Sequence, residues 1–213
     1  MFPRLSRDFF ARPTLTVART VLGRRLVRLL DEPSAKGARI SGIITEAEAY
    51  IGESDLGCHA HHGRTPRTAV MYGPPGHAYV YFTYGMHWML NFVTETEGFP
   101  AAVLIRALQP VEGLEIIAAR RKGRPQPEWT DGPGKICQAL GIDGGLNGAD
   151  LCATDAPLFV EAGDPVPDEC VTIGPRVGLI SVPEPWKSMP WRFRVEERIT
   201  TERDGRTPQS TQR

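Results

Sequence analysis

Three side chains that could do chemistry recur at every second position between Glu46 and Tyr50, in a segment rich in β-branched residues that is typical of a strand. Side chains alternate across a strand, so Glu46, Glu48 and Tyr50 share one face, while the opposite face is small and apolar. An unpaired buried carboxylate is costly, so the glutamates either meet cations or line a cleft, where a carboxylate can activate water as a general base. The alternative is an edge strand with two solvated glutamates, but the apolar opposite face favours the cleft.

A second cluster, His59-Ala60-His61-His62, contains the His-x-His spacing found among metal ligands. The zinc motifs H-E-x-x-H and H-x-E with P-C-x-x-C are absent from the sequence, and its four cysteines form no C-x-x-C pair. A metal site is therefore not favoured. A histidine that hydrogen-bonds a substrate fits equally well, and His61 and His62 can be solvated loop residues. We expect no metal and no cofactor.

An aromatic segment at residues 79–88 forms a third cluster. Tyr79 and Tyr81 share a face of a predicted strand, where aromatic residues usually belong to the core. Tyr84 and Met86, in contrast, flank a glycine at the tip of a predicted hairpin. Apolar or aromatic wedges at such a tip can unstack DNA from the minor groove. This pattern indicates a surface that meets nucleic acid.

Basic residues give weaker indications. Residues 131–135 open a predicted helix, and its free N–H groups together with Lys135 could hold a phosphate, although the segment is not a P-loop. Residues 120–124 form either a phosphate-contacting patch or a solvated helix end. The chain carries 25 basic and 25 acidic side chains, but residues 1–30 contain seven arginines and one acid, and residues 141–170 contain seven acids and no Lys or Arg. This segregation could create a basic face for a polyanion, or folding could average it out.

A scaffold of strands must position these residues. Hydrophobic alternation predicts strands at residues 24–30, 40–50, 78–84, 87–94, 101–108, 171–173, 176–180 and 192–195. Helices are predicted at residues 14–22, 110–121 and 134–140, and the Gly- and Pro-rich residues 52–77 form a long loop of the kind that carries function. Strands without regular intervening helices favour an α+β fold, with a single domain at residues 1–197 built on a curved, mostly antiparallel β-sheet flanked by short helices. The polar tail, residues 198–213, is expected to be disordered.

Composition and length exclude several classes of protein. With 213 residues, 41% hydrophobic residues and no net charge, the chain has an ordinary globular composition. Its longest apolar stretch, near residues 80–93, is interrupted by polar residues and falls short of the roughly 20 residues of a membrane span. The N-terminal residues open no apolar signal segment. We therefore expect a cytoplasmic protein without membrane contact. Nothing in the sequence indicates an obligate oligomer, and a monomer is expected.

Seven ordered blocks resemble the alkyladenine DNA glycosylases, also called 3-methyladenine or methylpurine DNA glycosylases. They are TEAEAY (45–50), GRTPRT (63–68), GHAYVYFTYGM (76–86), VLIRAL (103–108), GPGK (132–135), RVG (176–178) and PWRF (190–193). The resemblance covers residues 5–195. It implies a single-domain α+β enzyme that flips a damaged purine out of duplex DNA and hydrolyses its N-glycosidic bond, which starts base excision repair. The implied mechanism is monofunctional, with neither a Schiff-base lysine nor a metal.

The resemblance also implies roles for single residues. Glu48 deprotonates a water that attacks the deoxyribose, and Arg106 helps to hold that water. Tyr50, His59 and Tyr81 form the pocket, with rings against the flipped purine and a hydrogen bond from His59. Glu48 and Tyr50 also share a strand face, so these roles agree with the pattern of the residues themselves.

Further residues contact the base edge and the DNA. Asn91 discriminates among purine edges, and Tyr84, with Met86 beside it, fills the space that the nucleotide leaves. Four basic side chains in the matched blocks are expected to contact DNA, namely Arg64, Arg67, Lys135 and Arg176.

The expected partner is double-stranded DNA that contains damaged purines. Alkylated purines carry positive charge, which an electron-rich aromatic pocket attracts, whereas neutral lesions such as hypoxanthine or ethenoadenine need an acid that the sequence does not identify. Two alternatives remain open at this point. One is a lesion-binding protein without catalysis, and the other, less favoured, is a metal hydrolase built on His59, His61 and His62.

Overall fold

An antiparallel β-sheet organises the part of the chain that the structure, a computed structural model, describes: residues 2–33 and 35–196. The predicted tail, 198–213, lies outside the described residues. The strands of this eight-stranded sheet are β1 (Arg25–Leu29), β2 (Arg39–Ile51), β3 (Ala78–Thr83), β4 (His87–Val93), β5 (Ala101–Glu112), β6 (Leu158–Glu161), β7 (Val171–Gly174) and β8 (Arg192–Val195). Six strands are paired in the order β3-β4-β5-β2-β1-β6, and β8 pairs with both β2 and β7.

Short helices cover this sheet. They are α1 (Arg7–Phe10), α2 (Thr14–Thr20), α3 (Leu114–Arg120) and α4 (Pro133–Leu140). In the described part of the chain no helix combines the length and the apolar character that crossing a membrane requires. A single domain with an antiparallel sheet and a few short helices confirms the predicted α+β class.

The core lies between the sheet and two of the helices. Helix α2 packs against β2, and α4 packs against β4 and β5. Ile44 of β2, Ile105 of β5, Phe92 of β4 and Ile136 of α4 are fully buried in this layer. Ala47 and Ala49, from the small apolar face of β2, are also fully buried in this core, which leaves the other face for the glutamates.

The two longest strands, β2 and β5, carry an irregularity at the centre of the sheet. Their register passes from the pair Glu46–Ala107 to the pair Ala47–Ile105, which leaves Arg106 without a Cα partner on β2. An extra residue of this kind forms a β-bulge, which bends a strand and re-aims a side chain. The bulge places Arg106 beside the glutamates of β2.

The structure corrects two predicted elements: one predicted strand is absent, and one predicted helix begins later than expected. The expected strand at residues 176–180 is wrong, because this segment is irregular and Gly178 has a φ of +84°. The helix expected at residues 110–121 begins only at Leu114. Strand β5 continues through Pro110 to Glu112, since a register shift near Pro110 accommodates the missing N–H.

Strand β6 is an element that the sequence pattern did not reveal. All four of its residues, Leu158–Glu161, are buried, so no alternation between apolar and polar side chains marks them. A short strand buried on both faces has no periodic signal. In the structure it pairs with β1.

Candidate active site

The carboxylates of β2 meet a cation from β5. Arg106 Nε lies 3.0 Å from Glu46 Oε1 and 3.3 Å from Glu48 Oε1, and Arg106 Nη1 lies 3.4 Å from Glu48 Oε2. Arg192 of β8 adds a longer contact to Glu46. Glu46 is partly exposed, whereas the side chain of Glu48 has 0% exposure. The alternative of two solvated glutamates on an edge strand is therefore wrong.

Two further donors hold the carboxylate of Glu48. The backbone N–H of Val177 donates to Glu48 Oε1 at 2.7 Å, and the hydroxyl of Tyr50 donates to Glu48 Oε2 at 2.8 Å. Burial raises the pKa of Glu48, while Arg106, the Val177 N–H and the Tyr50 hydroxyl oppose this shift. A carboxylate with a raised pKa is a stronger base than an ordinary glutamate, and here its orientation is fixed on both oxygens.

A cavity of about 330 Å³ opens in front of this cluster. Its volume falls within the range of about 300–1,000 Å³ that is typical of small-molecule sites. Ring and sulfur side chains form much of its wall: Tyr50, His59, Met71, Tyr79, Tyr81 and Met89. Tyr50, Arg106 and Val177 also line the cavity, so the residues that contact Glu48 separate its carboxylate from the open space.

His59 belongs to this wall, and a short 3₁₀ helix, His59–His62, positions it. Its Nδ1 lies 3.0 Å from the hydroxyl of Tyr79, and its ring stands edge-on to Tyr81 with the centroids 4.5 Å apart. Burial, with the charge of Arg67 as the next cause, lowers the pKa of His59 to about 4. His59 is therefore neutral at neutral pH.

The other two histidines of the cluster turn away from a shared site. The rings of His61 and His62 stack on each other with centroids 3.6 Å apart, and His61 Nδ1 contacts the carbonyl oxygen of Cys58. Among residues 2–33 and 35–196 no three His, Cys, Asp or Glu side chains come together in a group that could hold a metal ion. This geometry gives the metal hydrolase hypothesis no support.

Asn91 lies on β4 at the bottom of the cavity and is buried. Its side-chain amide donates to the carbonyl oxygen of Tyr79 at 3.1 Å. This bond fixes the orientation of the amide, whose remaining polar groups can meet the edge of a ligand.

Tyr84 and Met86 stand at the tip of the β3–β4 hairpin, as predicted. Tyr84 and Gly85 have φ angles of +51° and +68°, Met86 N–H donates to the carbonyl oxygen of Thr83, and Thr83 pairs with His87, so the chain reverses in a tight three-residue loop. The side chains of Tyr84 and Met86 are 78% and 68% exposed, although both are apolar in character. Tyr84 also borders the cavity, so the exposed tip and the cavity mouth are adjacent.

Three of the four basic residues expected at DNA lie at the surface. Arg64 and Arg67 are exposed in the loop after His59, with their guanidinium groups over the rings of Tyr72 and Tyr81. Lys135, in the first turn of α4, pairs with Asp131 at 2.7 Å. Pro133, which begins the same helix, borders the cavity.

Arg176 lies elsewhere than expected, and its proposed DNA contact is corrected. Its side chain has 0% exposure, and its two terminal nitrogens lie 2.5 Å and 2.8 Å from the oxygens of Asp55. The guanidinium lies between the rings of Tyr50 and Trp191, at 4.7 Å and 4.9 Å from their centroids. A group so enclosed does not reach a phosphate; it instead supports the wall of the cavity.

Sequence reasoning missed two residues of this site. Val177 acts through its backbone N–H, and a backbone group leaves no signal in the residue type. Asp55 is a single acid in a long loop, and its importance depends on a cation 121 residues away. Val177 lies within the block 176–178, whereas Asp55 lies between the blocks 45–50 and 63–68, so no sequence signal marked it.

Comparison with known proteins identifies the family of this chain. The methylpurine-DNA glycosylase family model matches residues 8–199. A relative from Methanocella arvoryzae is 50% identical over 192 residues, which cover 90% of this chain and 92% of the relative. One from Myxococcus xanthus is 47% identical, covering 91% and 90% of the two chains. Both carry the provisional name 3-methyladenine DNA glycosylase. The chain therefore belongs to the methylpurine-DNA glycosylase family of DNA-repair hydrolases.

Proposed function

We propose that this protein removes damaged purines from duplex DNA by hydrolysing the N-glycosidic bond of a nucleotide flipped into the aromatic cavity. A base within the stack is out of reach of any side chain, so flipping must precede chemistry. Tyr84 is placed to enter the space that the nucleotide leaves, because it is exposed at the hairpin tip and adjacent to the cavity mouth. Met86 accompanies it at the tip.

The cavity receives the flipped base. The rings of Tyr50, His59 and Tyr81 supply the surfaces on which a purine stacks, a contact worth about 1–3 kcal/mol per base. The fixed amide of Asn91 meets the edge of the purine and distinguishes its donors from its acceptors.

Glu48 is the general base. It takes a proton from water, the water oxygen bonds to C1′ of the deoxyribose, and the electrons of the broken bond leave with the purine nitrogen. The positive charge that develops on the sugar is stabilised by the carboxylate. Among the contacts of Glu48, those to Arg106 are the longest, at 3.3 Å and 3.4 Å. Arg106 also lines the cavity, so opening these contacts gives a water of the cavity access to the carboxylate.

One observation carries this proposal: a fully buried, oriented carboxylate lies directly behind the wall of an aromatic cavity. A protein that only bound lesions would have no use for that carboxylate. Buried charge is costly, and a buried carboxylate with a raised pKa beside a cavity is typical of sites where it does chemistry.

The test is single-turnover base release from duplex oligonucleotides that carry one 7-methylguanine, hypoxanthine or ethenoadenine, in the presence of EDTA. We expect free base and an alkali-labile abasic site from the unmodified protein, and binding without release from the Glu48→Gln variant. Equal release by both proteins would remove Glu48 from the proposed role. Tight binding by the unmodified protein without release from any duplex would instead support a lesion-binding protein.

A further inference from the structure

Arg67 is an exposed residue that nevertheless touches the cavity wall at two points. Its guanidinium carbon lies 5.1 Å from the ring centroid of Tyr81, and its Nη2 lies 3.4 Å from Nε2 of His59. Arg64, three residues earlier, lies over Tyr72, which does not line the cavity. Of the two exposed arginines in this loop, only Arg67 is part of the cavity's surroundings.

Arg67 also differs from the other cations near the cavity in lacking a counter-charge. Arg106 is paired with Glu46 and Glu48, and the buried Arg176 is paired with Asp55. Within residues 2–33 and 35–196 no carboxylate oxygen lies within 4 Å of Arg67. The wall formed by Tyr81 and His59 therefore carries a positive charge that no acid neutralises.

The guanidinium of Arg67 determines which ring nitrogen of His59 carries the proton. A guanidinium only donates hydrogen bonds, so Nε2 of His59 faces Arg67 as an acceptor and Nδ1 carries the proton toward the hydroxyl of Tyr79. The imidazole is therefore a neutral, already paired group. Arg67 adds guanidinium donors to this side of the cavity, beside the hydroxyls of Tyr79 and Tyr81, and these donors suit a purine edge that presents acceptors.

A positively charged purine gains little from this wall. One face of the Tyr81 ring is covered by the guanidinium of Arg67, which leaves only its other face to attract a cation. The positive charge of Arg67 also repels a cation bound beside Tyr81 and His59, and the repulsion grows as water leaves the cavity. A purine alkylated on a ring nitrogen has, in addition, lost the acceptor at that position.

We propose that Arg67 determines the preference of the cavity among damaged purines, disfavouring positively charged bases relative to neutral bases that present acceptors. This inference rests on the proposed glycosylase function and specifies its substrate class. It gives Arg67 a role in recognising the damaged base, whereas the sequence analysis placed it only among the residues that contact DNA.

The test compares base release from two duplexes of identical sequence, one with 7-methylguanine and one with hypoxanthine, under single-turnover conditions with saturating protein. We expect Arg67→Gln to raise the ratio of the 7-methylguanine rate to the hypoxanthine rate about tenfold, equivalent to about 1.4 kcal/mol of relieved repulsion. Arg67→Lys retains the charge and should keep the ratio near that of the unmodified protein. Arg64→Gln is the matched control, since it removes the same charge from the same loop outside the cavity and should change both rates in proportion.

Two results would overturn the inference while leaving the proposed function intact. One is an unchanged ratio in Arg67→Gln, and the other is an equal rise of the ratio in Arg64→Gln. If both rates of Arg67→Gln fall together and the salt dependence of DNA binding weakens, Arg67 contacts a phosphate instead. If the unmodified protein releases neither base, the proposed function itself fails, and this inference fails with it.

Discussion

The carboxylate of Asp55 and the guanidinium of Arg176 form a doubly hydrogen-bonded ion pair from which solvent is fully excluded. Asp55 also accepts hydrogen bonds from the backbone N–H groups of Ile51 and Gly57, and Arg176 donates to the carbonyl oxygens of Ala49 and Trp186. The pair thus joins the end of β2 to two loops. Since the residue after Arg176 donates its N–H to Glu48, the pair also fixes the backbone that orients the carboxylate.

We expect Asp55→Asn to destabilise the fold strongly. It leaves the guanidinium of Arg176 buried without a counter-charge, and breaking a buried pair in this way costs about 3–5 kcal/mol. The free energy of unfolding, measured by urea denaturation, checks this value. Asp131→Asn is the control, because it breaks the exposed pair with Lys135, which is worth about 0–1 kcal/mol. Equal losses in the two variants would show that burial of the first pair has no energetic consequence.

The raised pKa of Glu48 predicts the pH dependence of base release. A general base acts when ionised, and its ionised fraction grows as the pH rises through its pKa. Because burial raises that pKa, the rate should climb with pH above the ordinary range of a glutamate, about 4.3, and then level off. Single-turnover rates of base release across acidic and neutral pH, corrected for release without protein, measure this rising limb of the pH–rate profile. A rate already independent of pH throughout that range would contradict the assignment.

Two conservative variants should move this limb in opposite directions. Tyr50→Phe keeps the ring in the cavity wall but removes a hydroxyl that lowers the pKa of Glu48, so the limb should shift to higher pH. Glu46→Gln removes a nearby negative charge that raises the pKa of Glu48, so the limb should shift to lower pH. If both variants lost rate while the pH of this limb stayed unchanged, Tyr50 and Glu46 would affect the geometry of the site and not the pKa of Glu48.

Much of the site could be predicted from the sequence because its side chains follow local rules. Alternation along β2 places Glu48 and Tyr50 on one face, and the hydrogen bond between them agrees with that. A glycine between Tyr84 and Met86 predicts a hairpin tip, and both residues are exposed there.

The remaining features depend on contacts between distant segments. The bulge that aims Arg106 at the glutamates arises from the pairing of β2 with β5, which no local pattern contains. Arg176 lies in a segment that alternates like a strand, and an isolated arginine is ordinarily a surface residue. The guanidinium can be buried because the fold brings Asp55 beside it, and the sequence does not show that these two residues meet.

Tyr84 combines an unfavourable backbone conformation with the position where DNA is expected to be contacted. Its φ of +51° lies in the left-handed region, which costs an ordinary residue about 1–2 kcal/mol and which asparagine adopts more readily. We therefore expect Tyr84→Asn to raise the free energy of unfolding by up to about 1 kcal/mol, since its side chain is 78% exposed and contributes little packing. The same variant should weaken nucleotide flipping by about 1–3 kcal/mol, because it removes the ring that we propose to stack in the vacated space.

A gain in stability together with a loss of flipping in Tyr84→Asn distinguishes a role of Tyr84 in flipping from a role in holding the turn. Urea denaturation gives the first quantity, and the fluorescence of a flipped ethenoadenine in duplex DNA, recorded before base release, gives the second. Tyr84→Phe is the matched control, since it keeps the ring and the backbone strain and should leave both quantities near those of the unmodified protein. If Tyr84→Asn lost stability and flipping together, the tyrosine would serve to hold the turn, and its strained backbone would have no connection with DNA. If flipping persisted in Tyr84→Asn at full strength, the neighbouring Met86, which is 68% exposed, would be the residue that fills the gap.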